Sequence, residues 1–185
     1  VKQDITQQKQ AQADIHRLAH FDTLTGLPNR RLFTDRIQQH LSLAQRNSEQ
    51  LAVMFLDLDH FKRVNDTYGH HTGDLVLQNL GAVCRENFRE EDVVGRMGGE
   101  EFAVILPKAS SDSEIEEVAQ RIVTAMALPF QLSSGPVNIS ASVGVAIYPR
   151  HGDDLEAIRA GADAALYSVK QSGRNGYRLF VPNRR

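Results

Sequence analysis

Six consecutive apolar residues, Leu51–Leu56, run into Asp57-Leu58-Asp59. A run with no polar residue on either alternate side reads as a strand buried on both faces. Such a strand belongs inside a sheet and calls for helices on both sides of it. Side chains alternate along a strand, so Asp57 and Asp59 share one face and Leu58 points to the other. A carboxylate at the end of a buried strand loses hydration and needs a cation or a set of donors to stay charged.

A second acidic cluster lies about forty residues on. Asp92–Leu106 reads as two short apolar, β-branched runs flanking Gly98-Gly99-Glu100-Glu101-Phe102. The pattern predicts a hairpin, with Gly98-Gly99 as its two-residue turn. Glu100 and Glu101 then leave the turn directly. A solvated hairpin tip often carries one or two charges, and by itself that is what the pair would mean. With Glu100 brought across from Asp57, a Mg²⁺ ion is the economical partner, because it takes hard oxygen ligands and commonly only one or two carboxylates.

The rest of the chain fills in around these two stretches. Residues 1–20 read as a polar, Gln-rich helix with Ile5, Ile15 and Leu18 as sparse apolar positions, a linker with some coiled-coil character. Asp22–Asn29 is a loop containing Gly26 and Pro28. A helix follows with Leu32, Phe33, Ile37 and Leu41 on one side. His60–Thr67 predicts a helical turn. The next helix carries Leu75, Leu77, Leu80 and Val83 inward. Ser111–Glu114 fits a capping box opening a helix to about Ala127. Val137–Ile147 reads as a strand, and Asp153 or Asp154 caps a last helix with Leu155, Ile158, Ala162, Leu166 and Val169 inward. Gly173 follows it as the C′ residue, and Tyr177–Val181 is a closing strand. The fold class is an α+β or α/β sandwich.

At 185 residues the chain has length for one domain with a real core. A formal net charge of −2 gives no bulk electrostatic basis for nucleic-acid binding. Cys84 is the only cysteine, so no internal disulfide can form, and a reducing cytoplasm suits the chain. No apolar run approaches the ~20 residues of a membrane span, and no signal-peptide pattern is seen. The expected location is cytoplasmic, either free or as the cytoplasmic part of a membrane-anchored protein, with no membrane contact by this segment. The first residue is not methionine, which fits a segment cut from a longer protein.

Five stretches in order resemble the GGDEF family of diguanylate cyclases, in its GGEEF form. They are Asp22–Arg30 (D-T-L-T-G-L-P-N-R), Asp57–His70 (D-L-D-H-F-K-R-V-N-D-T-Y-G-H), Gly73-Asp74, Arg96–Phe102 (R-M-G-G-E-E-F) and Ala165–Asn175 (A-L-Y-S-V-K-Q-S-G-R-N). The resemblance covers nearly everything after the first helix, so residues 21–185 are expected to form the domain and 1–20 its linker. It implies a central sheet of about five strands with flanking helices, like nucleotidyl cyclases and polymerase palm domains. The start of the chain resembles the tail joining a PAS sensor to a GGDEF domain, and Tyr177–Phe180 resembles the junction to a downstream EAL domain.

That resemblance implies roles residue by residue. Asp57 and Glu100 hold the ion, Mg²⁺ or Mn²⁺ in its place, with the backbone carbonyl of Leu58 as a third ligand. Glu101 either binds a second ion or helps activate the attacking hydroxyl. Backbone amides from His60 to Lys62 cradle phosphate at a helix start, while Phe61 belongs to the core. Lys170 and Arg174 take the β- and γ-phosphates, where the ordinary meaning of such a pair would be compensation of a helix dipole. Asn65 and Asp74 read guanine through an amide and an acceptor-only carboxylate, and His70 also touches the nucleotide. Arg89-Glu90-Glu91-Asp92 matches the family's R-x-x-D inhibitory site, completed by Arg121 from another subunit; an isolated R-x-x-D is more often a surface ion pair.

The expected reaction condenses two GTP into cyclic di-GMP and two pyrophosphates in a homodimer, with feedback inhibition by the product. The alternative is a catalytically weak module that binds GTP or cyclic di-GMP within a composite GGDEF-EAL protein. Such domains usually lose motif residues, and here Asp57, Glu100, Glu101, Lys170 and Arg174 are all present.

Overall fold

β1 (Leu51–Leu58) is the middle strand of a five-stranded sheet in a computed structural model that describes residues 2–182. Its neighbours are β3 (Glu101–Leu106) and, on the other side, β6 (Ala141–Tyr148), both antiparallel to it. β2 (Val93–Gly98) lies outside β3, and β7 (Gly176–Leu179) pairs parallel with β6, giving the order β2-β3-β1-β6-β7. A parallel neighbour needs a crossover, and α6 (Leu155–Gln171) provides it. The expected sandwich, with helices on both faces of a five-stranded sheet, is what forms.

The two faces carry different helices. Ala52, Met54, Leu56 and Leu58 pack with Val76, Leu77, Leu80 and Cys84 of α4 (His70–Asn87) and with Ile115, Ala119, Ile122 and Met126 of α5 (Asp112–Ala127). Leu51 and Val53 pack with Phe33, Ile37, Leu41 and Ala44 of α2 (Arg30–Asn47) and with Ile158 and Ala162 of α6. The odd-numbered side of β1, which ends in Asp57, therefore faces α2 and α6. Burial pushes the Cys84 thiol up to about 12, so it is an inert core group.

Several boundaries differ from the expectations. The inward side of α4 is Val76, Leu77, Leu80 and Cys84, with Leu75 and Val83 only half-buried. Leu32 on α2 and Leu166 on α6 are likewise half-buried. The expected strand Val137–Ile147 is broken, because β5 (Gly135–Val137) turns back onto β4 (Phe130–Leu132) as a separate two-stranded hairpin. β7 begins at Gly176 and ends at Leu179. Asp154, not Asp153, caps α6 by accepting from the Ala157 amide at 2.8 Å. The Ser111 hydroxyl caps α5, but the Glu114 carboxylate returns to Ser110 and not to Ser111. Gly173 follows α6 at φ +113°, and the Arg174 amide donates to the Val169 carbonyl at 3.0 Å. That bond, from C″ to C3, is the Schellman ending the glycine implied.

α1 (Lys2–His20) is exposed along most of its length, with Ile5, Ile15 and Leu18 51%, 67% and 64% exposed. The expected linker began at Val1 and the expected domain ran to Arg185; those ends lie outside the described residues. No helix among the described residues is long and apolar enough to cross a membrane.

Candidate active site

The end of β1 gathers the predicted acidic groups. Asp57 is 6% exposed, and the strand register places Glu101 directly across on β3 and Ser142 directly across on β6. The turn is one residue further on than the glycines suggest. β2 and β3 close at Gly98 opposite Glu101, leaving Gly99-Glu100 at the tip, with a bulge between Arg96 and Gly98. So Glu100 sits within the turn itself, and only Glu101 opens the following strand. The bulge is on β2 and leaves the β1–β3 register unbroken, and it is that register that sets Glu101 on the Asp57 face.

The two oxygens of Asp57 have different surroundings. Oδ2 accepts from the Lys170 ammonium on α6. Oδ1 is buried with no hydrogen-bond partner. Burial pushes the Asp57 carboxyl above its ordinary value; Lys170 pulls it down by hydrogen bond and charge, and Glu100 and Glu101 push it up again. An unsatisfied buried acceptor costs about 1–3 kcal/mol, and a hard cation is the natural partner for it. Among the described residues no three His, Cys, Asp or Glu side chains make a closed metal cage. Two carboxylates with a backbone carbonyl are the open, all-oxygen donor set that suits an ion completed by phosphate and water. A cation held there would compete with the proton for Asp57, so its affinity would rise with pH through the raised pKa of this carboxyl.

Asp59 does something else. Its oxygens accept from the Ser140 and Ser142 hydroxyls, both at 2.6 Å, and from the Asn175 amide at 3.0 Å. It ties the end of β1 to the start of β6 and to the loop after α6. Nothing in the spacing of Ser140 and Ser142 pointed to this bond.

α3 (Phe61–Tyr68) starts directly after that pin, with His60 at φ +55° before it and Phe61 and Val64 buried. The first amides of a helix lack intrahelical acceptors. Lys62 and His70 are exposed on either end of this segment. Gly69, at φ +89°, is the whole connection to α4. This tight joint sets Asn65 against Gly73, the residue before Asp74. A Cβ on Gly73 would collide with Asn65 Oδ1 and come within 3.2 Å of Phe61 Cζ, so the missing side chain makes the room that the amide fills. Asn65 Oδ1 is buried and has no partner, while Asp74, the residue after Gly73, is exposed. Among the described residues, Asp57 Oδ1 and Asn65 Oδ1 are the only buried side-chain nitrogen or oxygen atoms without a partner.

The two phosphate candidates are not equally free. Lys170 is occupied by Asp57, whereas Arg174 is exposed at φ +65° and its side chain donates to the Lys170 carbonyl at 3.4 Å. At the opposite end of β2, Arg89 and Asp92 close one turn: the Asp92 carboxylate accepts from the Arg89 amide at 2.9 Å. The Arg89 side chain pairs loosely with Glu114 at 3.9 Å. Arg121 of the same chain lines the same pocket, its Nη2 donating to the Asn87 carbonyl at 2.8 Å. It therefore stands beside Arg89 and Asp92 of its own chain. Two residues without an assigned role lie behind the Gly99-Glu100 turn: Asp22 and Arg96 form a half-buried ion pair at 3.0 Å, and Arg96 also donates to the Gly99 carbonyl.

The profile of the diguanylate cyclase GGDEF domain matches residues 19–176. The bifunctional diguanylate cyclase/cyclic di-GMP phosphodiesterase MucR of Pseudomonas aeruginosa is 44% identical over 92% of this chain and 25% of its own length. The structure of a delta-N mutant of TpbB, also called YfiN, from the same organism, comprising only the GGDEF domain, superposes with a TM-score of 0.85 at 42% identity, covering 88% of this chain and 95% of that one. The coiled coil and GGDEF domain of DgcB from Caulobacter crescentus, in complex with c-di-GMP, superposes with a TM-score of 0.85 at 29% identity, over 98% and 95% of the two chains. The chain spans 25% to 40% of the length of the curated relatives MucR and TpbB.

Proposed function

The chain belongs to the GGDEF family, and from that premise we propose that it is a diguanylate cyclase domain, condensing two GTP into cyclic di-GMP and two pyrophosphates. One observation carries the reading. Two buried oxygens lack partners, and they are the Asp57 acceptor required for a divalent ion and the Asn65 acceptor required for guanine. Buried polar groups in folded proteins are paired almost without exception, so a pair of orphans at these positions marks what a ligand completes.

Asn65 and Asp74 accept from the N1–H and N2–H₂ of guanine, a donor edge that adenine lacks. The amides at the start of α3, with Lys62 and Arg174, hold the triphosphate, and His70 flanks the nucleotide. Lys170 neutralises Asp57 in the nucleotide-free chain, and the same ammonium serves the β- and γ-phosphates. Asp57, Glu100 and the Leu58 carbonyl would hold Mg²⁺, or Mn²⁺, which when bound offsets charge on the reacting phosphates. Glu101, cross-strand from Asp57, either holds a second ion or takes the proton of the attacking hydroxyl.

The 3′-oxygen of one GTP attacks the α-phosphorus of the other, and pyrophosphate leaves; the reverse attack closes the ring. Each domain presents one guanine site, so two copies must face each other and the work is positioning. The exposed apolar positions of α1 suit pairing with the same helix of a second copy. We assign residues 1–20 as that linker and 21–185 as the domain, on the cytoplasmic side within a longer protein carrying an upstream sensor, with or without a downstream EAL domain. Incubation with GTP and Mg²⁺, with the product identified by mass, tests the assignment.

Product inhibition is assigned to Arg89, Asp92 and Arg121. Their pocket lies at the far end of β2 from the Gly99-Glu100 turn, so a ligand there leaves the ion site untouched. Cyclic di-GMP has two phosphates and two guanines, and can hold two copies in a pose where their GTP sites do not meet. Inhibition is then noncompetitive with GTP. Arg89→Ala should keep its initial rate and lose the slowing by added product. A variant that slows as much as the parent at equal product concentration would reduce the site to a surface ion pair.

A further inference from the structure

Packing does little to hold the tip that carries Glu100. Gly98 and Gly99 sit at φ +148° and +52°, and a Cβ on either would meet no atom within 4 Å. Such a tip has a wide choice of backbone conformations, and a ligand placed on it needs a restraint from outside. Arg96 supplies one. Its Nε and Nη2 donate to the Gly99 carbonyl at 3.0 and 2.9 Å, and its Nη1 donates to the Asp22 carboxylate oxygens at 3.0 and 3.2 Å. The Arg96 and Asp22 side chains are only 15% and 19% exposed.

Asp22 is fixed in its turn. The Thr25 amide and hydroxyl donate to it at 2.9 and 2.7 Å. Burial would raise its pKa, but the Thr25 hydrogen bonds and the Arg96 charge outweigh that and hold the carboxyl below its usual range. The loop behind it is anchored at both sides. The Arg96 amide donates to the Pro28 carbonyl, and the Asn29 amide and side chain donate to His20 and Ala19 at the end of α1, all at 2.9 Å.

The geometry points to Asp22 and Arg96 as positioning residues for the catalytic turn: Asp22 sets the guanidinium, the guanidinium sets the Gly99 carbonyl, and so the next residue, Glu100, is held where it can meet the ion at Asp57. This rests on the assignment of Glu100 as an ion ligand and goes beyond it by naming what places that ligand. The planar fork of arginine is what permits one side chain to grip a carbonyl and a carboxylate at once, which a lysine ammonium cannot do in the same way.

Two variants test it in the full chain. Arg96→Lys keeps the charge and loses the fork; Asp22→Asn keeps an acceptor for Thr25 and loses the charge. Mn²⁺ affinity is read by electron paramagnetic resonance of free Mn²⁺ with a non-hydrolysable GTP analogue bound, beside kcat, KM and the melting temperature. Loss of an outer support typically costs 10–100-fold in metal affinity or activity. The expected result is about a tenfold weaker Mn²⁺ affinity and a kcat lowered to a similar degree in both variants, with KM for GTP and melting temperature close to the parent. Unchanged Mn²⁺ affinity in both variants overturns the proposal, and so does a collapse of melting temperature in both, which makes the pair structural. A parent that binds no Mn²⁺ overturns it together with the ion assignment. A parent that binds Mn²⁺ and makes no cyclic di-GMP defeats the cyclase reading alone, since the affinities of the variants still decide the positioning role.

Discussion

Glu100→Gln should abolish synthesis of cyclic di-GMP while leaving the fold intact. Glu100 stands at a two-residue hairpin tip and is only half-buried. Substitutions at such positions usually change stability by no more than about 0.5 kcal/mol, about 2 °C in a chain of this size. The chemical loss is far larger. Glutamine retains an oxygen of the same reach but no charge, and the ion at Asp57 then has one anionic ligand in place of two. Losing a single charge-stabilising group at a phosphoryl- or acyl-transfer site costs about 10²–10³ in kcat. Turnover measured beside a thermal melt separates the outcomes. Parental turnover would remove Glu100 from the ion site, and a collapsed melt would make it a structural residue.

Gly144→Ala is expected to produce the largest loss of stability. Gly144 lies in β6 opposite Phe55 of β1, on the face covered by α6. A Cβ there would collide with the Ala162 carbonyl oxygen and the Leu166 amide nitrogen and lie 2.8 Å from Leu166 Cα. These are backbone atoms in the middle of a helix, so no rotamer change relieves the clash. The helix must lift from the sheet, and overpacking of this kind costs about 3 kcal/mol. That corresponds to a drop of about 6–12 °C in melting temperature. Activity should fall with it, because α6 also delivers Lys170 to Asp57. A denaturant midpoint equal to the parent's would show that α6 is not seated on Gly144 as described.

How much was legible in the sequence depended on whether a signal was local. The buried run Leu51–Leu56 predicted a central strand, because only an interior strand is apolar on both faces. The Asp154 cap, the Ser111 cap and the Gly173 ending are local chemistry and could be read to within a residue. The hairpin was legible but its tip was displaced, because a bulge between Arg96 and Gly98 depends on how two strands pair and not on the glycines alone. The broken strand at Asn138–Ser140 was hidden for a similar reason: β5 leaves the sheet to pair with β4, and Ser140 and Ser142 are tied to Asp59, 81 and 83 positions away. For the site, Asp57, Asn65, Asp74, Glu100 and Lys170 were visible through the motif resemblance. The joint at Gly69 that sets Asn65 against Gly73, and the Asp22–Arg96 bridge across 74 positions, follow from tertiary contacts that no short pattern encodes.

The central claim is that two copies, each holding one GTP, must meet before either bond can form. It is tested most directly by the rate of cyclic di-GMP formation per domain, measured from dilute to concentrated protein at saturating GTP and Mg²⁺, with the product identified by mass and the oligomeric state followed by sedimentation. The specific rate should climb in proportion to concentration while the domain is mostly monomeric and level off as dimers dominate. A flat specific rate in protein that stays monomeric throughout would contradict the account.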